Sequence, residues 1–125
     1  MRGEKEREST RTYCLSKRKA TEDSPDGWNA TCMRIHNKIF AIVNHEKGEK
    51  AAITLKCDPN VALRIREEYP DSIIPGYHMN KKHWNTVYIN KGLGQDEINR
   101  MIDWSYNLVL QSFSKKKQKE ILGEK

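Results

Sequence analysis

The sequence contains no apolar run approaching the roughly 20 residues that a membrane-crossing helix needs, and that helix class is set aside from the start. Its cysteines are three, Cys14, Cys32 and Cys57, widely spaced, odd in number and without a CxxC pair. That pattern argues against a disulfide framework and against a structural zinc site, leaving buried thiols in a reducing compartment as the expectation. No Gly-rich phosphate loop, GxSxG or HExxH occurs, and Gly92-Leu93-Gly94 is a lone turn before a helix. The opening MRGEKEREST has no apolar stretch behind it. A secretory signal is therefore not expected, and a cytoplasmic location is.

What is present is a charged, single-domain composition. With 125 residues, 36% of them hydrophobic and 32% charged, the chain can bury one ordinary core and has little room for two. The net charge of +6 suggests acidic partners, but its distribution matters more. Residues 1 to 20 carry seven basic and three acidic side chains, residues 115 to 125 five and two, and the middle is net −1. The excess thus sits at the two chain ends, which usually are solvated tails. Residues 1–10 read as a basic N-terminal arm left open to flexibility, 11–122 as the domain and 123–125 as a tail.

Within the neutral middle, Ser72 to Gln95 holds no acidic side chain, while Lys81, Lys82 and Lys91 occur with His78 and His83 among Tyr77, Trp84 and Tyr88. Cations interleaved with aromatics can meet phosphates and stack on sugars or bases. The alternative is that Trp84 and Tyr88 face the core of a strand and the lysines are simply solvated at its turn.

The periodicity predicts a weak helix at 6–16, broken by Asp23 to Gly27. Three strand-like runs follow, 29–35, 39–44 and 51–56, pairing as an antiparallel meander through short polar connections. Asp58-Pro59 has the chemistry of a helix start: the carboxylate caps free amides and proline suits the first turn. Ala62, Ile65 and Tyr69 give that helix its stripe, and Tyr69-Pro70 ends it. Two further strands, 72–77 and 84–90, flank the polar loop 78–83 as a projecting hairpin. From Gln95 to about Phe113, apolar and small residues recur at helical spacing, with Asp96 and Glu97 at the positive pole of the helix. A basic helix, 115–122, closes the chain.

In this order of elements, the stretches Ile53-Thr54-Leu55-Lys56, PGYHMNKKHW from Pro75 to Trp84, Thr86-Val87-Tyr88 and Ser105-Tyr106, with Phe40-Ala41 and Trp28, resemble the MmcQ/YjbR-like family over roughly residues 12–122. The resemblance implies an α+β, frataxin-like (CyaY-like) fold with an antiparallel sheet of about five strands, in a small stand-alone bacterial protein. It also implies non-catalytic binding of double-stranded DNA through two β-hairpin wings. Carried onto this chain, the first wing is a turn of the meander, 36–38 or 45–50, and the second is 79–83. Lys38, Lys47, Lys50, Lys81 and Lys82 would meet phosphates, with Asn80 and His83 as base or sugar partners, in weak, salt-sensitive contacts. Glu46 and Glu49 interrupt the lysines of the meander.

Pro75, His78, Trp84, Ser105 and Tyr106 are family positions of structural or functional use, as is Lys56, which ends an apolar strand and either titrates abnormally or carries its charge back to water along its stem. Asn80 and His83 have the parallel reading of holding their loop by local hydrogen bonds. Frataxin-like folds include iron-handling proteins, but here Glu4, Glu6 and Glu8 alternate with Lys5, Arg7 and Arg11, and no ligand pair has recognised metal spacing. Neither metal nor cofactor is expected. A nucleophilic Cys57 with His78 or His83 is the enzymatic alternative, and a protein-interaction module the third. A monomer is expected.

Overall fold

A computed structural model describes residues 4–76 and 80–123, with side chains from Arg7 onward. Helix α1 (Glu4–Leu15) begins two residues earlier than its pattern suggested, inside the stretch read as an arm. Thr10 and Cys14, one helical turn apart, are both fully buried on its inner face. Strand β1 (Ala20–Asp23) follows, then β2 (Ala30–Ile35), β3 (Lys38–Asn44), a 3-10 turn at Gly48–Lys50, and β4 (Ala52–Lys56). Helix α2 (Pro59–Glu68) leads to β5 (Ile73–Pro75) and β6 (Trp84–Tyr88), and the chain closes with α3 (Gln95–Gln111) and α4 (Lys115–Leu122).

The strands form one antiparallel sheet of six, in the order β1-β2-β3-β4-β6-β5. The five expected strands are all there; the sixth, β1, is new. Its sequence ATED has no apolar alternation because it lies on the sheet border with three of its four side chains exposed. Arg34 and Arg11 pair with its acids, Arg34 Nε donating to Asp23 (2.6 Å) and Arg11 Nε to Glu22 (2.8 Å). The other border, β5, is only three residues long and ends in Pro75.

One face of the sheet carries the core. Met33, Ile35, Phe40, Ala41, Val43, Ile53, Leu55, Val87 and Ile89 pack there against Ile98, Met101, Ile102, Tyr106 and Val109 of α3 and Cys14 of α1, with Ile121 of α4 at its margin. Asp58 caps α2 as its chemistry predicts, its carboxylate accepting from the amides of Asn60 (3.0 Å) and Val61 (3.4 Å). Ser105 of α3 stitches the sheet where the β3–β4 pairing stops: its hydroxyl donates to the Phe40 carbonyl (2.5 Å) and accepts the Lys56 amide (2.9 Å). Tyr106 packs edge-on against Phe40 and donates to the Arg18 carbonyl (2.7 Å). These two family positions are thus structural in their contacts.

Register sorts the connections between two ends of the sheet. Ile35 pairs with Lys38, and Lys56 with Trp84, so the His36-Asn37 turn and the Asn80–His83 turn emerge at the same end. This end, called the wing end below, also receives residues 17–19, 57–58 and the α3–α4 junction. Ala52 pairs with Tyr88, which puts residues 45–50 at the opposite, far end, together with 24–29, 69–72 and 89–97.

Candidate nucleic-acid interface

The Asn80–His83 turn is held from several sides by neutral and charged hydrogen bonds. The Asn80 carboxamide oxygen accepts the Lys82 amide (2.8 Å), and the His83 amide donates to the Asn80 carbonyl (3.2 Å), a polar turn of the usual kind. The Cys57 amide, at the root of α2, donates to the His83 carbonyl (2.7 Å). From α2 itself, Arg66 donates through its guanidinium to the carbonyls of Lys81 and Trp84 and to Asn85 Oδ1 (2.6 Å). Asn85 is buried and returns a bond to the Ala62 carbonyl (3.4 Å). Gly76 has no alternative at its position: a Cβ there would stand 2.8 Å from Trp84 Cβ and 3.0 Å from its carbonyl oxygen, so the two strands meet backbone to backbone. The Asn80 carboxamide and the backbone of His83 therefore hold the loop, while Lys81 and Lys82 are exposed on a platform fixed by their neighbours. His78 and Met79 lie outside the described residues.

The other predicted cations are divided. Lys47 and Lys50 lie on the far end and do not join Lys81 and Lys82. Lys38 is at the wing end but engaged: its ammonium donates to Ser112 Oγ (2.8 Å) and to the Ser112 carbonyl (3.4 Å), and sits 4.4 Å from the centre of the Phe113 ring. His36 meets the same ring edge-on, centroids 5.9 Å apart. His36 adopts φ +55°, a left-handed conformation that costs a non-glycine residue about 1–2 kcal/mol. Lys56 is half-buried at the end of its strand, Pro75 is exposed, and Trp84 is buried rather than available for stacking.

Sequence reading missed two groups. Arg66 gives no signal, since its partners lie 15 to 19 residues away in a turn. The cations near the two chain ends were visible as charge, but nothing in the sequence brought the two groups together. Arg18 donates to the Leu122 carbonyl (2.7 Å), binding α4 to the α1–β1 turn, and Ser114 caps α4 by accepting the Lys117 amide (3.1 Å). Arg18, Lys19, Lys115, Lys116 and Lys119 are all exposed at the wing end. Lys17 there is bound to Asp103 of α3.

Burial pushes the Cys57 thiol above its ordinary range, with the nearby Asp58 charge adding to the effect, and pushes Cys14 up to about 12. Both shifts disfavour the thiolate that a nucleophile requires. Among the described residues, no three His, Cys, Asp or Glu side chains converge as metal ligands. The sheet face away from the helices carries a groove of about 670 Å³ lined by Trp28, Tyr88, Thr54, Thr86, Glu46 and Lys50 among others. Its charges are mixed, unlike those of the wing end.

The YjbR family model matches residues 15–108. The chain is 32% identical to the uncharacterised protein YjbR of Escherichia coli K12 over 107 residues, 86% of this chain and 89% of that one. It is 38% identical to the uncharacterised YbdF of Escherichia coli O157:H7 over 97 residues, 78% of each. Among solved structures, the Deinococcus radiodurans protein DR2400, with a DUF419 domain, superposes with a TM-score of 0.81 at 26% identity, covering 94% of this chain and 88% of its own.

Proposed function

This chain belongs to the YjbR family, and from that premise we propose that it binds duplex DNA without catalysis, through its wing end. One observation carries the reading: the His36-Asn37 and Asn80–His83 turns project from the same end of the sheet, three strand spacings of about 4.8 Å apart, or roughly 14 Å. That separation is on the scale of a DNA major groove, about 12 Å wide. Two projections at this spacing suit the phosphate rows bordering a groove, where lysines give affinity with little sequence preference. Helices gathered on one face of an antiparallel sheet also support a frataxin-like reading of the fold, with β1 as an added border strand.

The test is fluorescence anisotropy with a labelled duplex at about 50 and 200 mM salt. The wild type is expected to bind and to weaken steeply with salt, and Lys81→Ala with Lys82→Ala to weaken binding roughly tenfold at the lower salt. Equal affinities would remove the Lys81–Lys82 turn from the contact surface; no binding by the wild type at low salt would end the DNA reading.

A protein-partner reading has one observation in its favour. Trp104 is 43% exposed and lines a groove of about 430 Å³ with Val61 and Leu108 between α2 and α3. On the DNA reading, Trp104→Ala leaves duplex affinity unchanged.

A further inference from the structure

The first wing presents a difficulty for any phosphate contact at the wing end. Its only lysine, Lys38, is turned back onto the α3–α4 junction, where Ser112 and the Phe113 ring hold it. The residues around that junction, however, are the most basic in the molecule. Helix α4 starts immediately beyond Phe113 and runs to the Arg18 turn, so it lies across the wing end beside the first wing.

We infer that the exposed face of α4, formed by Lys115, Lys116 and Lys119, is the phosphate-binding partner of the Lys81–Lys82 turn, and that Lys38 serves to hold α4 in place. The inference rests on the DNA reading above and assigns which residues grip the backbone. Positions 115, 116 and 119 share one side of a helix, and all three are exposed, whereas Ile121 on the other side is buried and Lys117 is paired with Glu120 at 3.5 Å. The helix is fixed at both ends. Gln118 donates to the Phe113 carbonyl (2.9 Å) at its start, and Gly123, in the left-handed conformation at φ +74°, closes its last turn beside Arg18. Its lysines therefore act as a docked ridge, with no large ordering cost on binding. Arg18 and Lys19 continue the same positive surface past the end of the helix.

Lys38 positions rather than touches. The Lys38 ammonium bridges the β2–β3 turn to the end of α3, where carbonyls lack partners and a cation is favoured. Replacing such a lysine loosens the α3–α4 junction, while α4 keeps its Ser114, Gln118 and Arg18 contacts and its exposed lysines, so the number of phosphates neutralised changes little.

The salt dependence of binding counts those phosphates, because each contact contributes about 0.9 to the slope of log K against log salt. Anisotropy titrations over a salt series would compare the wild type, Lys115→Gln with Lys116→Gln and Lys119→Gln, Lys81→Gln with Lys82→Gln, and Lys38→Gln. Circular dichroism and thermal melting confirm the fold of each. The triple variant is expected to lower the slope by roughly 2.7 and the double variant by roughly 1.8, while Lys38→Gln changes it by less than about 0.5. Replacing the three α4 lysines by arginine should keep the wild-type slope. A triple variant with the wild-type slope, beside a double variant with a lowered one, overturns the role of α4 and leaves the DNA reading standing. A Lys38→Gln slope reduced by a full contact overturns the holding role. A wild type that fails to bind at about 50 mM salt ends both.

Discussion

At the far end of the sheet the connections hold Asp26, Glu46, Glu49, Asp71, Asp96 and Glu97 against Lys47, Lys50 and Lys91; at the wing end the connections and α4 hold Lys17, Arg18, Lys19, Lys38, Lys81, Lys82, Lys115, Lys116, Lys117 and Lys119 against Asp58 and Glu120. Part of this contrast has a purely structural origin. Helices α1 and α3 both run from the far end to the wing end, so their positive poles meet acids at one end and their negative poles meet bases at the other. Asp96 and Glu97 in the first turn of α3, and Lys38 on the Ser112 carbonyl at its end, are arranged as that rule demands. Lys81, Lys82 and the α4 lysines are not needed by either helix. The difference between the ends thus separates charge that serves the two helix poles from charge that neither helix uses.

The hardest way to break the contrast is to release the second wing. Arg66→Ala removes the guanidinium from three carbonyl or amide oxygens and leaves buried Asn85 short of a partner. It is expected to cost about 2–3 kcal/mol in urea unfolding and to weaken DNA binding although no phosphate-facing charge is lost. Affinity equal to that of the wild type would mean that the turn does not need its platform. A smaller effect is expected at the far end. Asp96→Lys with Glu97→Lys places two cations at the positive pole of α3 and should cost about 1 kcal/mol. Duplex affinity should remain within a few-fold of the wild type, since these positions face away from the wings; a large loss would return binding to the far end.

The smallest expected effect concerns the contact that fixes α1 along α3. Tyr13 donates to Asp103 at 2.7 Å, and that bond, followed by burial, raises the Tyr13 pKa above its ordinary value of 10.0. A group raised on folding stabilises the protein fully below its unfolded pKa and loses that contribution as pH climbs through the folded value. The stability gap between the wild type and Tyr13→Phe, followed by urea unfolding, should therefore be constant up to about pH 9 and shrink above pH 10. A gap that persists at high pH would remove the proton-linked part of this contact.

Much of the fold was legible because its signals are local. Asp58-Pro59 announces α2, and the apolar spacing of α3 survives as the spine of the core. Strand β1 was not legible, since its pairing is paid by backbone bonds and by Arg11 and Arg34, none of which leaves an apolar pattern in ATED. The second wing was visible as an acid-free stretch, but not the reason for its shape, which lies in Gly76 against Trp84 and in Arg66. The convergence of the terminal cations was not legible for a physical reason. Charge per segment can be counted along a chain, whereas the convergence of residues 17–19 with 115–119 depends on a bond such as Arg18 to Leu122, 104 residues apart.

The two borders of the sheet have a consequence for crowding. Where copies are crowded, sheets with long, bare borders tend to zip together into aggregates. Here one border is four residues long with its acids already salted to arginines, and the other is three residues long and stopped by a proline. Copies crowded together meet there as charged or truncated strands, so these borders disfavour edge-to-edge pairing.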